Sequence, residues 1–178
     1  MKRDKLRLIT MTGVIAALIT VFTAWFVHVP TGINGGYIHF GDAIIYMAAV
    51  LLPTPYAMAA GAIGGGLADL LTAPAWTLAT VIIKMLIVLP FTSKKSKMIC
   101  ARNMIAPVLA FVISCVGYYL AEAILFGTEV AFIASATGSL AQSLGSAIMF
   151  YVIAVSFDKA NVKRMLLGQL HCRMNSKR

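Results

Sequence analysis

Residues 35–53, GGYIHFGDAIIYMAAVLLP, combine a polar opening with a long apolar run. Two glycines, His39 and Asp42 come first, and no charged residue follows Asp42 before Pro53. A charged side chain is costly inside a bilayer, so a carboxylate at the start of such a run needs a structural or functional reason. The segment therefore predicts a membrane helix that carries a polar group in its first turn.

The whole chain has the composition of an integral membrane protein. Hydrophobic residues make up 60% of its 178 residues and the mean hydropathy is +0.88, both well above the values of a soluble domain. Several spans of about 20 residues each leave little room for a separate soluble domain. The apolar runs are continuous rather than alternating, which disfavours a transmembrane β-barrel. We therefore expect one all-α membrane domain over residues 1–178.

The formal net charge of +9 is concentrated in three clusters. Fourteen of the fifteen Lys and Arg residues lie at 2–7, 94–102 and 159–178, and the exception is Lys84. Basic clusters beside apolar runs follow the positive-inside rule, and this location argues against a nucleic-acid-binding surface. We expect all three clusters, and therefore both termini, on the cytoplasmic side of a prokaryotic plasma membrane.

An even number of crossings must then separate each pair of basic clusters. Breaks in the apolar pattern at 28–40, 53–55 and 73–76 divide the first part of the chain into four spans, and two more follow the middle cluster. The predicted multi-pass protein has spans at 8–27, 41–52, 56–72, 77–92, 104–126 and 133–157, with a basic cytoplasmic tail at 158–178.

Several polar residues within the spans are predicted to share one cavity that opens to the outside. Helical spacing places each charged or amide side chain on a stripe of small, hydroxyl or tyrosine residues, and such stripes face other helices in membrane proteins. We expect Asp69 and Lys84 to pair when the cavity is empty. The predicted ligand-binding residues are Asp69, Lys84, Glu122 and Gln142 at its floor and wall, with His39, Asp42, Trp76 and Tyr118 nearer its entrance.

The same residues could instead have purely structural roles. Asp69 and Lys84 could form an ion pair that only fixes two helices, and Asp42 could cap the N-terminus of its helix. Trp76 could anchor the chain at the membrane interface. The convergence of the polar groups at one depth favours the ligand-binding interpretation over these separate ones.

Metal, disulfide and nucleotide chemistry have no sequence signature in this chain. The cysteines have neither metal-ligand spacing nor an even count, the histidines fall on different segments, and no glycine-rich loop ends in Gly-Lys-Ser/Thr. We therefore expect no metal, no cofactor and no enzymatic activity, and any transport energy must come from a partner.

Three stretches carry a family resemblance: GGYIHFGDAIIYMAAVLLP before and within the second span, GAIGGGLADLL in the third and ATVIIK in the fourth. Together with the six-helix plan they resemble the substrate-binding S component of an energy-coupling factor (ECF) vitamin transporter. The resemblance covers nearly the whole chain and is strongest over residues 35–90. It implies a protein that captures a vitamin from the outer side and then joins a transmembrane coupling subunit and two cytoplasmic ATPases, which drive its toppling to release the vitamin inside.

The resemblance also implies a contact face for the coupling subunit on the first span. Family members carry alanines four residues apart there, and the matching stretch TGVIAALIT places Gly13 and Ala17 four apart. The loop before the second span is expected to help close the cavity over a captured molecule, with the freedom to move supplied by its glycines at 32, 35, 36 and 41.

The residue types in the predicted cavity suggest the class of substrate. Carboxylates, one ammonium, an amide and aromatic rings suit a small ring-containing solute, such as pyridoxine or the hydroxymethylpyrimidine precursor of thiamine. Two other classes stay open. An intramembrane enzyme acting on a lipid or phosphate-containing substrate would set its acidic residues close together, and a non-catalytic membrane assembly factor would bind no ligand.

Overall fold

The computed structural model describes residues 2–26, 29–30, 37–127, 131–163 and 165. These residues form a predominantly helical chain, in agreement with the all-α prediction. The α-helices are α1 (Lys2–Val21), α2 (Asp42–Leu51), α3 (Thr54–Thr72), α4 (Thr77–Leu86), α5 (Ala101–Phe126) and α6 (Ala131–Lys159), and the strands are β1 (Val29–Pro30) and β2 (Tyr37–Ile38).

Two helices differ from the predicted spans by six residues, since α1 begins at Lys2 instead of residue 8 and α4 ends early. The fourth span was predicted to reach residue 92, whereas α4 ends at Leu86 and residues 87–90 form turns. Pro90 is the physical reason, because proline lacks a backbone N–H and disfavours helical geometry in the residue before it. The Arg102 guanidinium then donates hydrogen bonds to the carbonyl oxygens of Leu89 and Pro90, which the helix leaves unpaired.

Within the described part of the chain, helix length and composition identify three stretches that could cross a membrane. They are Asp4–Phe26, Ala101–Phe126 and Gly138–Lys159, while Asp42–Leu51 and Pro74–Leu86 are apolar but shorter. At 1.5 Å per residue, the ten residues of α2 extend only about 15 Å, roughly half of the hydrocarbon core. The crossing of the membrane by all six helices, with cytoplasmic termini, stays a prediction.

Contacts between the helices arrange them as a ring around a short central segment. The outer helices contact one another in the order α1, α3, α4, α5 and α6, and the short α2 contacts α1, α3 and α6. Eight of the ten α2 residues are buried. Large apolar side chains on the other helices point outward, including Leu78 at 74% exposed and Ile124 at 83% exposed, as expected for surfaces that contact lipid. The polar start of α2 is therefore placed inside the bundle.

Consecutive glycines allow α3 to lie close to both α1 and α4. A Cβ atom on Gly64 would lie 2.7 Å from the Ala16 carbonyl oxygen, and one on Gly66 would lie 2.6 Å from Val81 Cγ2. Because the two helices lie so close, the Thr20 hydroxyl on α1 can donate a 3.0 Å hydrogen bond to the Gly64 carbonyl oxygen. The GGG run thus sets the spacing of three helices.

The β1–β2 hairpin and the basic clusters mark opposite ends of the bundle. We call them the hairpin end and the basic end; the basic end carries residues 94–102 and 159–163. The strands pair antiparallel, with Val29 opposite Ile38. The loop glycines at 32, 35 and 36 lie outside the described residues. Gly41 is helical in φ, and its Cβ would collide with the Thr23 hydroxyl, so close packing rather than the predicted freedom of motion requires glycine there.

The α4–α5 connection at the basic end is held by two polar side chains. Asn103 donates to the Thr92 and Met98 carbonyl oxygens and accepts from the Thr92 N–H. The Asp158 carboxylate, at the end of α6, accepts from the N–H groups of Met98 and Ile99 at 2.8 and 2.9 Å. These bonds join the connection firmly to α5 and α6.

The start of the predicted basic tail packs against this end. Lys163 is only 1% exposed, which distinguishes it from Lys159 on the same segment, whose side chain is exposed. Residues 164 and 166–178 of the predicted tail lie outside the described residues.

Candidate functional site

Three polar side chains from different helices meet inside the bundle. Lys84 Nζ on α4 donates to Asp42 Oδ1 on α2 at 2.6 Å, and Gln142 Nε2 on α6 donates to Asp42 Oδ2 at 2.9 Å. The relative exposures of Asp42 and Lys84 are 0%, and that of Gln142 is 6%. We call these residues the central triad. It places two donors around one carboxylate at a site shielded from solvent.

The glycine face of α3 makes room for the lysine. A Cβ on Gly65 would lie 2.9 Å from Lys84 Cγ, and one on Gly61 would lie 3.0 Å from the Lys84 carbonyl oxygen. The apolar stem of the lysine therefore lies along bare α3 backbone while its ammonium reaches α2. Gly61 and Gly65 therefore shape the site as well as the packing of α3 against α4.

The prediction that Asp69 pairs with Lys84 is wrong, because Lys84 bonds to Asp42. Asp69 instead accepts a hydrogen bond from the hydroxyl of Tyr37 in the hairpin. Asp69 lies three residues before Thr72, the last residue of α3, whereas Lys84 lies seven residues after Thr77, the first residue of α4. Their depths therefore differ by about 6 Å along the helix axes. The N-terminus of the short central α2 reaches the depth of Lys84, and the hairpin supplies a partner at the depth of Asp69.

The structure also places Asp42 deeper than expected. The sequence suggests a position near the cavity entrance or a helix cap, yet Asp42 is fully buried and its two oxygens bond to Lys84 and Gln142. The N-cap position of α2 is occupied by Gly41. The positive end of the helix dipole still favours the carboxylate at this first turn.

His39 has a local structural role next to the triad. Its Nδ1 accepts the Gly41 N–H at 3.0 Å, and its side chain is 4% exposed. The imidazole lies 5.5 Å from the Tyr37 ring, measured between centroids. These contacts join the hairpin to the start of α2, so His39 shapes the entry to the helix.

Aromatic rings form one wall beside the triad. The Trp76 ring centroid lies 6.0 Å from that of Tyr118 and 5.6 Å from that of Phe126. The Tyr118 hydroxyl shares a 3.1 Å hydrogen bond with Thr80, and Lys84 Nζ lies 5.6 Å from the Tyr118 ring centroid. This aromatic wall therefore connects the hairpin end of the bundle to the central triad.

Glu122 stands one helical turn beyond Tyr118 on the same face of α5 and is 4% exposed. Its buried position fits the predicted interior face. The described contacts bring Asp42, Lys84 and Gln142 together directly. Lys84 is connected to Trp76 through the Tyr118 ring. His39 contacts Tyr37, which in turn bonds to Asp69.

Several buried hydroxyls inside the bundle lack a hydrogen-bond partner among the described residues. Tyr46 lies one turn after Asp42 on α2, and Ser143 and Ser146 lie one and four residues after Gln142 on α6. Buried polar groups normally find partners, so this set offers hydrogen bonds that a ligand or water can complete. We call Tyr46, Ser143 and Ser146 the hydroxyl cluster of the site.

Sequence reasoning missed Tyr37 and Tyr46 as members of the site. Both had a signal: Tyr37 precedes His39 by two residues in an extended segment, and Tyr46 follows Asp42 by four in a helix, spacings that place side chains on one face. These spacings alone do not identify a site, because tyrosine is also a common interfacial residue in membranes.

The predicted coupling face is exposed. Gly13 and Ala17 lie on the outer surface of α1, and a Cβ on Gly13 would meet no atom within 4 Å, whereas Thr12 and Ala16 are buried against the bundle. Among the residues with described positions, no three His, Cys, Asp or Glu side chains come together as a possible metal site.

Comparisons with known proteins agree with this membrane architecture. The profile of one protein family, described as ECF-type riboflavin transporter, S component, matches residues 3–159. The chain is also 31% identical over 107 residues to an uncharacterized protein from Pyrococcus woesei, described as lying in the gap 3' region, and the match covers 59% of this chain and 72% of that protein.

Proposed function

Because the chain belongs to the family of ECF-type riboflavin transporter S components, we propose that it captures riboflavin for import. Members of this family are membrane-embedded, substrate-binding subunits of vitamin transporters rather than enzymes, and they associate with a module that contains ATPases and a transmembrane component. The family description names riboflavin, which favours it over the pyridoxine or hydroxymethylpyrimidine suggested by residue types alone.

The central triad is the observation that carries the proposal. Riboflavin has an imide edge on its ring system, in which one N–H lies between two carbonyl oxygens. Asp42 is an acceptor flanked by the donors Lys84 and Gln142, a set with the matching order of hydrogen-bonding groups. In the structure these groups bond to one another, so riboflavin would exchange the Lys84–Asp42 and Gln142–Asp42 bonds for bonds to its imide edge.

The surroundings of the triad suit the rest of the molecule. The Trp76 and Tyr118 wall offers aromatic surface for a flat ring system. Tyr46, Ser143 and Ser146 supply uncommitted hydroxyls for a chain of sugar-like hydroxyl groups. A single-ring vitamin could also bind to the triad, but it would leave more hydroxyls of the hydroxyl cluster without a hydrogen-bond partner.

The exposed Gly13–Ala17 face supports the proposed contact with the coupling subunit. Small residues allow another helix to approach closely in a membrane, and neither residue is needed to pack the bundle itself. We propose that this face docks on the transmembrane component in the plasma membrane while two cytoplasmic ATPases supply the energy.

Riboflavin binding to the detergent-purified protein tests the substrate proposal. Riboflavin should raise the unfolding temperature and lose fluorescence on binding, whereas pyridoxine and hydroxymethylpyrimidine at equal concentration should do neither. Gln142→Ala removes one donor to Asp42 and should weaken binding by about 1–3 kcal/mol. Leu140→Ala, on the exposed face of the same helix, is the matched control. Stabilisation by either smaller compound alone would reject riboflavin, and equal affinity of Gln142→Ala and the parent would place the site elsewhere.

A further inference from the structure

A second polar site lies at the basic end, away from the central triad. A cavity of about 90 Å³ is lined by Ser96, Lys97, Asp158, Asn161 and Lys163. A single water molecule needs only about 10–15 Å³ of such space, so the cavity has room for a small polyatomic ion. It lies between the α4–α5 connection and the segment that follows α6.

Lys163 is the unusual member of this site. Its side chain is 1% exposed, and its Nζ has no hydrogen-bond partner among the described residues. Burial lowers the pKa of its ammonium group, while the neighbouring Asp158 and Cys100 oppose that shift. A buried ammonium without a partner is costly, so an anion in the cavity would compensate it.

Asp158 does not satisfy Lys163 directly. Its carboxylate oxygens accept hydrogen bonds from the Met98 and Ile99 N–H groups, and the two side chains form no ion pair within 4 Å among the described contacts. Residues 159–178 contain no Asp or Glu that could serve instead. With Lys97 also present, the lining carries two cations and one carboxylate.

We propose that this cavity binds a phosphate group, supplied by an anionic lipid headgroup or by free phosphate, with Lys163 as its principal ligand. Ammonium groups are common phosphate ligands, and Ser96 and Asn161 add neutral polar side chains. The basic end is predicted to lie at the cytoplasmic surface, where anionic lipid headgroups are concentrated. A bound phosphate group would connect the α4–α5 connection to the end of α6.

Phosphate binding to the purified full chain in neutral detergent tests the proposal, with chloride at equal ionic strength as the reference. Inorganic phosphate should raise the unfolding temperature of the protein, and binding should broaden the ³¹P resonance of the phosphate. Lys163→Gln should weaken binding about tenfold, the effect of losing a charge-assisted hydrogen bond. Lys159→Gln, at an exposed lysine on the same segment, should bind like the parent. Lys97→Gln, also at an exposed position, provides a second lining variant if Lys163→Gln does not fold.

Lipid nanodiscs distinguish the two sources of phosphate. A lipid headgroup is identified if phosphatidylglycerol stabilises the parent more than phosphatidylcholine does and this difference is lost in Lys163→Gln. Free phosphate is identified if the protein responds to inorganic phosphate alone. The proposal is overturned if neither source stabilises the parent, or if a folded Lys163→Gln variant responds like the parent. If Lys163→Gln does not fold, a parent-like response of Lys97→Gln overturns it.

Discussion

Lys84 and Asp42 form an ion pair between α4 and α2 with a separation of 2.6 Å and no exposure of either side chain. Taking two charges out of water costs free energy that their attraction only partly returns, so a buried pair is weak evidence for stability. Removing one partner, in contrast, leaves a buried charge without compensation. This asymmetry allows a structural role to be separated from a binding role.

Lys84→Met should therefore destabilise the protein by about 3–5 kcal/mol. The double variant Asp42→Asn/Lys84→Met should regain most of that stability because no charge is left unpaired, yet it should fail to bind riboflavin. Unfolding in detergent and riboflavin fluorescence measure the two properties. Lys94→Met, at an exposed position, is the control. Full riboflavin binding by the double variant would show that the pair is only structural.

Tyr37→Phe should make bound riboflavin leave faster. The variant removes the hydroxyl that bonds to Asp69 and so weakens the attachment of the hairpin to α3, by roughly 1–3 kcal/mol for a partly buried hydrogen bond to a carboxylate. Stopped-flow fluorescence measures the release rate. Tyr56→Phe, at a half-buried position on α3, is the comparison. An unchanged release rate in Tyr37→Phe would mean that the hairpin does not control access.

Gly64→Ala should destabilise the bundle by about 1–3 kcal/mol, the usual cost of overpacking. The added Cβ would lie 2.7 Å from both the Ala16 carbonyl oxygen and Ile19 Cβ. Gly138→Ala adds the same atom where nothing lies within 4 Å, and it should be neutral or stabilising. Thermal unfolding of both variants measures the difference, and equal stability would show that α1 and α3 can separate without cost.

Ala17→Phe should abolish riboflavin uptake in cells while leaving binding by the purified protein nearly unchanged. The bulky ring would project from an exposed face of α1 and prevent close approach of the coupling subunit. Ile124→Phe introduces the same ring at another exposed position and should leave uptake intact. Parallel loss of uptake and binding in Ala17→Phe would indicate damage to the bundle instead.

Membrane topology can be tested by labelling cysteines in intact cells. A cysteine introduced at Asn34, before the second span, should react with an impermeant reagent, whereas Cys100 in the middle basic cluster should react only after the membrane is permeabilised. Each measurement is made in a background without the other cysteines. The reverse pattern would invert the orientation proposed from the basic clusters.

The sequence alone was enough to predict the helical membrane class, because apolar content and long uncharged runs are local properties that any lipid-embedded helix must have. It also singled out Asp42, Lys84 and Gln142, since an ionisable or amide group in an apolar run is conspicuous wherever the helices pack. The early end of α4 could have been predicted from Pro90, whose effect on a helix is equally local.

Only the tertiary structure decided which of these groups meet. Asp42 pairs with Lys84 because α2 is short and enclosed by the other helices, and neither its depth nor its neighbours follow from helical periodicity. The partner of Asp69 comes from Tyr37 across 32 residues, and the burial of Lys163 depends on how the chain after α6 packs against the α4–α5 connection. Contacts between distant segments depend on the relative depth and rotation of packed helices, and a one-dimensional pattern leaves both undetermined.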